Sequence, residues 1–222
     1  MIGREGASTD DEPVDVYDDS GKKVGVSTRL EAHKKGLWHY NFHCWIVTRR
    51  HGGSLLFQLR SEAKPSFPGL LDSTVGGHYS AGERLREVSR EIEEEIGVRP
   101  DLEELVPIGS RVDVAHYDGV SKREVAQVFL LRSDRPLTGY RLYQEEVRAL
   151  IEVRIEDGLK LFSGGTKSIA AHGAEWDEAR RGWKEATVRL TRRSFVPKMD
   201  SYYMSLFIAA KSLLSGERYI SI

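Results

Sequence analysis

The chain has 222 residues, which is long enough to bury a sizeable core as one domain with an extension or as two small domains. Its 33 basic and 34 acidic side chains give a formal net charge of −1, which argues against a sequence-wide electrostatic grip on nucleic acid or membranes. The one cysteine, Cys44, excludes an intrachain disulfide and a zinc site built from cysteines.

The first segment predicts no regular structure. Residues 1–12 are small and acidic without periodicity, so we expect a loose tail. This stretch lacks the apolar centre of a signal peptide, and no run in the sequence approaches membrane-spanning length. The expected compartment is therefore the cytoplasm, and neither a membrane nor a nucleic acid polymer is expected as a partner.

Alternating patterns predict two strand pairs next. Valines alternate with polar residues on both sides of the turn at residues 19–21, which predicts a β-hairpin between about residues 14 and 26. Residues 40–50 and 54–61 repeat the strand pattern around a tight turn at residues 51–53. The chain is therefore expected to start its folded part with strands.

A loop and then a helix follow. Residues 64–77 contain two prolines and are predicted to form a loop. Leu85, Val88, Ile92 and Ile96 are spaced three, four and four residues apart, which predicts a helix from about Leu85 to Ile96 with these four side chains on its core face.

The same helix carries a second, acidic face. Glu87, Glu91 and Glu95 repeat every four residues, and Glu94 lies three residues after Glu91, whereas Glu93 points elsewhere. Like charges at this spacing cost roughly 0.2–0.5 kcal/mol each in an isolated helix. The charge pattern alone still favours a solvated face, although a divalent cation would reverse the repulsion, since Mg²⁺ and Mn²⁺ prefer carboxylate oxygens.

The remaining elements complete a layered α+β domain. Strands are predicted at residues 107–117 and 124–133, on either side of a turn at Asp118-Gly119, and at residues 145–155. Together with the acidic helix they predict an α/β/α arrangement around a mixed sheet. The folded domain is expected to span residues 13–162, with its core at about 38–160.

A C-terminal helical extension is predicted for residues 163–222, packed on the core. Residues 163–186 are expected to form a loop and a helix, on which Trp176 and Trp183 share one face for core packing or for contact in a homodimer. Residues 199–216 predict a last helix that stops at Gly216, with aromatic side chains such as Tyr202 used for packing.

Glycines around the acidic helix change its interpretation. Gly76 and Gly77 allow a sharp turn and a close backbone approach to a ligand. Residues 76–98 resemble the signature box of the Nudix hydrolases, whose fixed positions are all filled here. They fall at Gly77, at Glu83 and in the run Arg90-Glu91-Ile92-Glu93-Glu94-Glu95-Ile96-Gly97-Val98. One departure is that six residues separate Glu83 from Arg90, where the usual pattern has seven.

The resemblance implies a fold, a reaction and a set of site residues. Nudix hydrolases share an α/β/α sandwich and typically cleave a nucleoside diphosphate linked to another moiety, using Mg²⁺ or Mn²⁺. Carried over by position, the implied metal ligands are Glu91, Glu94, Glu95 and the carbonyl of Gly76, and Glu91 or Glu94 would be the catalytic base. The implied structural residues are Arg90, which would orient the glutamates, and Gly77, Gly97 and Glu83.

The flanks of the box, over roughly residues 13–160, resemble the branch that includes isopentenyl-diphosphate isomerase and its hydrolase-like relatives. The resemblance places the metal-binding residues of the isomerases at His33, His39, His78 and Glu124. Isomerases also use a catalytic cysteine, and that position is Gly76 here. The resemblance therefore favours hydrolysis of a small diphosphate substrate over isomerisation.

Several of these side chains have alternative interpretations. Glu124 is expected to bind metal, although it could be an ordinary charge on an edge strand. His78 and His39 are expected to contact substrate, as is Arg60 through its guanidinium, which could instead be a surface arginine. His43 is interpreted as a packing residue. A third functional class, a Nudix-fold module that binds a nucleotide without cleaving it, usually loses glutamates of the box, and this chain keeps them.

Overall fold

The computed structural model describes residues 11–64, 66–83, 85–117, 120–198 and 201–222, which form eleven β-strands and four α-helices. The strands are β1 (Pro13–Tyr17), β2 (Lys23–Thr28), β3 (His39–Thr48), β4 (Ser54–Arg60), β5 (Leu71–Asp72), β6 (Val75–His78), β7 (Leu105–Tyr117), β8 (Val120–Arg132), β9 (Val147–Arg154), β10 (Ile169–Asp177) and β11 (Gly182–Leu190). The helices are α1 (Arg29–Lys35), α2 (Arg86–Ile96), α3 (Ile155–Ser163) and α4 (Tyr202–Leu214). None of the described helices is both long enough and apolar enough to cross a membrane.

The N-terminal hairpin is confirmed, and it leads into a short helix. Strands β1 and β2 pair antiparallel, and α1 follows directly, with Thr28 accepting a hydrogen bond from the backbone of Glu31 at its start. The predicted loose tail falls mostly on residues 1–10, which lie outside the described part of the chain. Glu12 is held in place, since its carbonyl accepts from Arg29 N and its side chain accepts from Ser80.

The main sheet is mixed, as predicted. Its strand order is β11-β10-β9-β4-β3-β8-β7, with β5 paired to β4 and β6 paired to β3. Strand β3 runs parallel to β8 and antiparallel to β4 and β6. The predicted loop at residues 64–77 is thus partly wrong, because its second half forms β5 and most of β6. The turn predicted at Asp118-Gly119 lies outside the described residues.

Helices cover both faces of this sheet, which confirms the α/β/α sandwich. Helix α2 packs Val88, Ile92 and Ile96 on one face, and α4 packs on the other face. Helix α2 begins at Arg86, within a residue of the predicted start. Leu85 is 39% exposed, so its predicted place on the core stripe is wrong, because it precedes the first helical turn. The Glu87 side chain lies outside the description.

The C-terminal part is only partly helical, which corrects the prediction for residues 163–186. That segment supplies β10 and then the turn into β11, and the two strands extend the main sheet. Trp176 and Trp183 face each other across the hairpin with ring centroids 5.6 Å apart, instead of sharing a helix face. Burial alternates with period two along the first residues of β10, as is typical of a strand. The spacing of the two tryptophans was therefore not a reliable sign of a helix. The final helix, α4, is confirmed.

Candidate active site

Three strands bring the candidate site together at one end of β3. His39, Asn41 and His43 alternate along β3, so their buried side chains lie on one face of the sheet. The antiparallel partner β6 sets His78 opposite Asn41. The parallel partner β8 sets Glu124 beside His39. Residues that are far apart in sequence therefore meet because of sheet register.

Glu124 is the centre of a histidine cluster. The Nε2 atoms of His33, His78 and His39 lie 3.3, 3.1 and 3.5 Å from the same oxygen, Glu124 Oε1. One ligand atom from each of the four residues falls within 4.8 Å of all the others, so the group could hold a metal ion. Glu124 is fully buried between β3 and β7, and the alternative of an edge-strand charge is therefore wrong.

The second oxygen of Glu124 is occupied by protein donors. Lys122 Nζ lies 2.8 Å from Oε2, and Asn41 Nδ2 also donates to Oε2. Burial would raise the pKa of Glu124, but Lys122 and hydrogen bonds with His33 and His78 hold it well below its usual value. Burial also lowers the pKa of His78 to about 4, against the opposing effect of Glu124. The cluster therefore combines an ionised carboxylate with at least one neutral imidazole at neutral pH.

The protonation of His39 supports a cation in this cluster. Its Nδ1 lies 3.0 Å from the carbonyl oxygen of Leu37, which can only accept, so Nδ1 carries the proton. Its Nε2 lies 3.5 Å from Glu124 Oε1, and this buried nitrogen has no hydrogen-bond partner. A cation between this nitrogen and the carboxylate oxygen would bind both, so the donor set fits a divalent metal.

The glycine pair, Gly76 and Gly77, lies between this cluster and helix α2. Both glycines belong to strand β6 and pair with β3, so the turn predicted for them is wrong. A Cβ atom at Gly77 would lie 3.0 Å from the Phe42 ring and 3.7 Å from Glu91 Cγ. At Gly76 it would lie 2.8 Å from Ser73 Oγ, so only glycine fits there without a shift in its neighbours. The pair is therefore packed tightly between β3 and α2, and Glu91 borders the strand that ends at His78.

Arg90 organises the carboxylates of the box. Its guanidinium lies 2.7 Å from Glu91, 2.8 Å from Glu94 and 3.2 Å from Glu83. Glu83 also accepts from Ser80 N, at 2.9 Å. The six-residue spacing after Glu83 thus still lets it reach Arg90. This is the geometry expected of a residue that orients the glutamates.

Glu95 and Gly97 define the end of the helix. Glu95 is buried, its Oε2 has no hydrogen-bond partner, and burial raises its pKa to about 8 against the lowering effect of Lys64. An orphaned carboxylate oxygen of this kind fits a metal ligand. Gly97 ends α2 with φ 71°, and a Cβ there would lie 2.8 Å from Arg141 Cβ.

Two cations of the 60–70 loop lie near these carboxylates. Arg60 donates to Ser66 O and pairs with Asp72 at 3.2 Å, and its side chain is 13% exposed. The alternative of a surface arginine is therefore wrong. Lys64 contacts Glu146 and is close enough to Glu95 to influence its pKa.

A family model for the NUDIX domain matches residues 37–163, which is more than half of the chain. The chain belongs to the Nudix hydrolase family. Nudix hydrolases act on small molecules, generally nucleoside diphosphate derivatives, and generally use divalent metal ions. The cluster of His33, His39, His78 and Glu124 could hold such an ion.

Known relatives agree with this assignment. An uncharacterised Nudix hydrolase of Clostridium acetobutylicum is 29% identical over 195 residues, covering 87% of this chain and 94% of that protein. An isopentenyl-diphosphate Delta-isomerase of Mycolicibacterium vanbaalenii is 33% identical over 125 residues, covering 55% of this chain and 67% of that enzyme. A crystal structure from Deinococcus radiodurans shares the fold, with a TM-score of 0.52 and 22% identity over 69% of this chain and 90% of that one.

Two side chains that border this Nudix site were interpreted only as packing residues from the sequence. Tyr202 Oη lies 3.0 Å from Trp45 Nε1, which can only donate, and 2.8 Å from His43 Nδ1. The hydroxyl therefore accepts from Trp45 Nε1 and links it to His43. Burial and the charge of Lys198 lower the pKa of His43 to about 3. Polar residues at every second position of an apolar strand were the signal for His43, whereas no local signal marks Tyr202.

Proposed function

We propose that this Nudix hydrolase cleaves the diphosphate linkage of a nucleoside diphosphate derivative by attack of water. The observation that carries the proposal is the position of α2, which brings Glu91 against the glycine pair of β6 and leaves a buried Glu95 oxygen without a hydrogen-bond partner. Glu91, Glu94, Glu95 and the carbonyl of Gly76 would hold Mg²⁺ or Mn²⁺.

The residues of the box have separate tasks in this proposal. A bound divalent ion neutralises phosphate charge and lowers the pKa of a coordinated water. Arg90 holds Glu91 and Glu94 in fixed orientations, and one of these two carboxylates accepts the proton of the attacking water. Arg60 and Lys64 place positive charge where the diphosphate would lie. The other residues of the box have structural tasks. Gly77 belongs to the glycine pair of β6, Glu83 lies in the segment before α2, and Gly97 ends α2.

The histidine cluster is proposed to be a second cation site. His33, His39 and His78 would supply nitrogen ligands, with Glu124 as the carboxylate ligand. His39 and His78 would then act on the substrate through a metal ion instead of touching it directly. Imidazole ligands suit Mn²⁺ better than Mg²⁺, so the two sites would differ in metal preference.

Isomerisation of isopentenyl diphosphate is the second candidate. The histidine cluster, which resembles that of the isomerases, and the similarity to a named isomerase favour it. Gly76 stands where the isomerases have a catalytic cysteine. Cys44 does not replace it, because this thiol is fully buried and burial raises its pKa far above the usual value. Hydrolysis is therefore the better supported reaction.

One experiment separates these functions. Metal-stripped protein is incubated with Mg²⁺ or Mn²⁺ and with nucleotide sugars, dinucleotides, dinucleoside polyphosphates or isopentenyl diphosphate, beside the variants Glu94→Gln and Glu95→Gln. We expect nucleotide release that falls by roughly 100-fold or more in both variants. Glu93→Gln is the matched control, since Glu93 pairs with Arg99 at 2.9 Å and not with Arg90.

The outcomes are distinct. Isomer formation from isopentenyl diphosphate would support the second candidate. Tight nucleotide binding without turnover would indicate a binding module and would contradict both enzymatic proposals. The homodimer stays a prediction, which light scattering of the same sample tests.

A further inference from the structure

We propose that Lys198, which lies outside the matched Nudix domain, binds a phosphate group of the substrate. The C-terminal segment would then complete the anion-binding part of the active site instead of only covering the sheet. This inference rests on the proposed function, because it names a substrate-binding residue of the same site.

Backbone contacts fasten the segment that carries Lys198. Val196 N donates to Leu71 O at 2.9 Å, and Phe195 forms a parallel bridge with Leu71. Tyr203 Oη donates to Val196 O at 2.8 Å. The segment is thus fixed along β5, whose next residue is Asp72. The backbone two residues before Lys198 is therefore held next to β5.

None of the described residues accepts a hydrogen bond from the ammonium of Lys198. Its side chain is only 7% exposed, and its Nζ lies 3.7 Å from Asp72 Oδ1, which is beyond hydrogen-bond length. Asp72 Oδ1 also has no hydrogen-bond partner. A largely buried ammonium with unfilled donors is unfavourable, and an anionic ligand would satisfy it.

The ion pairs of the described residues favour the same conclusion. Asp72 is the carboxylate beside Lys198, and Arg60 already pairs with its other oxygen at 3.2 Å. A lysine that served only as a counter-ion would be expected to approach at about 2.8 Å, as charge-assisted hydrogen bonds do. Asp72 is therefore shared between two cations.

Lys198 also lies close to a residue that the proposed function gives to substrate binding. Arg60 and Lys198 lie 3.2 and 3.7 Å from the two oxygens of the same carboxylate, that of Asp72. A diphosphate held by Arg60 would thus come within reach of Lys198.

The test uses the full-length protein and inorganic diphosphate with Mg²⁺ as the probe. Calorimetry measures its Kd for the wild type, for Lys198→Gln and Lys198→Met, which remove the charge, and for Lys198→Arg, which keeps it. We expect the Kd to rise roughly 10- to 100-fold in the neutral variants, the range of one charge-assisted hydrogen bond, and only a few-fold in Lys198→Arg. Lys211→Gln is the control, because Lys211 forms an exposed pair with Glu156 at 2.8 Å on the same C-terminal part.

The second readout separates the effect of each variant on KM from its effect on kcat. On any substrate that the enzyme turns over, the neutral variants should raise KM by a similar factor and change kcat less. Wild-type affinity in both neutral variants, with melting temperatures showing them folded, would overturn the inference. Equal losses in Lys198→Arg and Lys198→Gln would also overturn it, because they would indicate a packing role. The calorimetry decides the role of Lys198 even if no substrate is cleaved. If the enzyme turns over a substrate and the neutral variants have an unchanged KM, the phosphate-binding role of Lys198 is refuted, whereas the proposed hydrolysis is still supported.

Discussion

At the residue scale, the candidate site contains buried polar atoms that have no hydrogen-bond partner. His39 Nε2, Asn41 Oδ1, Asp72 Oδ1 and Glu95 Oε2 are in this state, as are atoms outside the site such as Ser54 Oγ and Glu152 Oε1. Unsatisfied buried groups lower stability, and a bound ligand would offset this cost for the atoms of the site.

Asp72 should make the free energy of unfolding depend on pH in the acidic range. Burial alone would raise its pKa, but Lys198 and Arg60 lower it from 3.8 to about 2. Because the folded-state pKa is the lower one, the stabilisation is present above pH 3.8 and is lost as pH falls towards 2. We expect Asp72→Asn to cost about 2 kcal/mol near pH 6 and much less near the folded-state pKa. Urea unfolding across this pH range measures the difference in the free energy of unfolding between the wild type and Asp72→Asn. A difference that does not change with pH would contradict the assignment.

Tyr202 should stabilise the site through its hydroxyl. Tyr202→Phe keeps the ring but leaves Trp45 Nε1 and His43 Nδ1 without their shared partner. The expected loss in free energy of unfolding is about 1–3 kcal/mol, the usual cost of buried polar groups left unpaired. Denaturant unfolding measures it, with Tyr219→Phe as control because Tyr219 is 88% exposed. Equal midpoints for the two variants would show that the hydroxyl contributes nothing.

At the element scale, helix α2 and its end at Gly97 could be predicted from local sequence, whereas the packing of α3 against α4 could not. Gly158 lies within α3, and a Cβ there would fall 2.2 Å from the ring of Phe207 on α4. The two helices approach closely because this position has no side chain. No local pattern in either helix indicates that contact.

Gly158→Ala should therefore destabilise the protein, although alanine is the better helix former by about 1 kcal/mol. The clash with Phe207 requires shifts that typically cost about 1–3 kcal/mol in a packed core. Thermal unfolding of the single variant and of Gly158→Ala with Phe207→Leu tests this. Smaller leucine should recover part of the loss, and a single variant more stable than the wild type would contradict the close approach.

At the scale of the whole molecule, the fold extends well beyond the matched Nudix domain. The match ends at residue 163, yet β10 and β11 continue the main sheet, and α4 covers its second face. Buried side chains of α4, such as Leu206 and Phe207, join the core around Trp45. The C-terminal part is thus structurally integral to the sheet.

A chain that ends at residue 163 should not fold cooperatively. It would expose the apolar face of the sheet that α4 covers, and full burial of a single Leu or Phe contributes about 1.5–3 kcal/mol. We expect loss of near-ultraviolet circular dichroism and of a sharp melting transition. A truncated chain with the full-length melting temperature would show that the extension is dispensable.

The sequence by itself determined what depends on neighbours along the chain. The helix after the glycine pair, its stop at Gly97 and the contact of Arg90 with the glutamates all lie within 23 consecutive residues, where helical spacing decides which side chains meet. The last helix and most strands could be predicted for the same reason, whereas the β10–β11 hairpin was missed. The turn predicted at Gly76-Gly77 is instead part of strand β6. Only the tertiary structure decided which distant groups share the site. Sheet register joined His39, His78 and Glu124, and the path of the C-terminal segment brought Lys198 to Asp72, because pairing between strands depends on packing over the whole core.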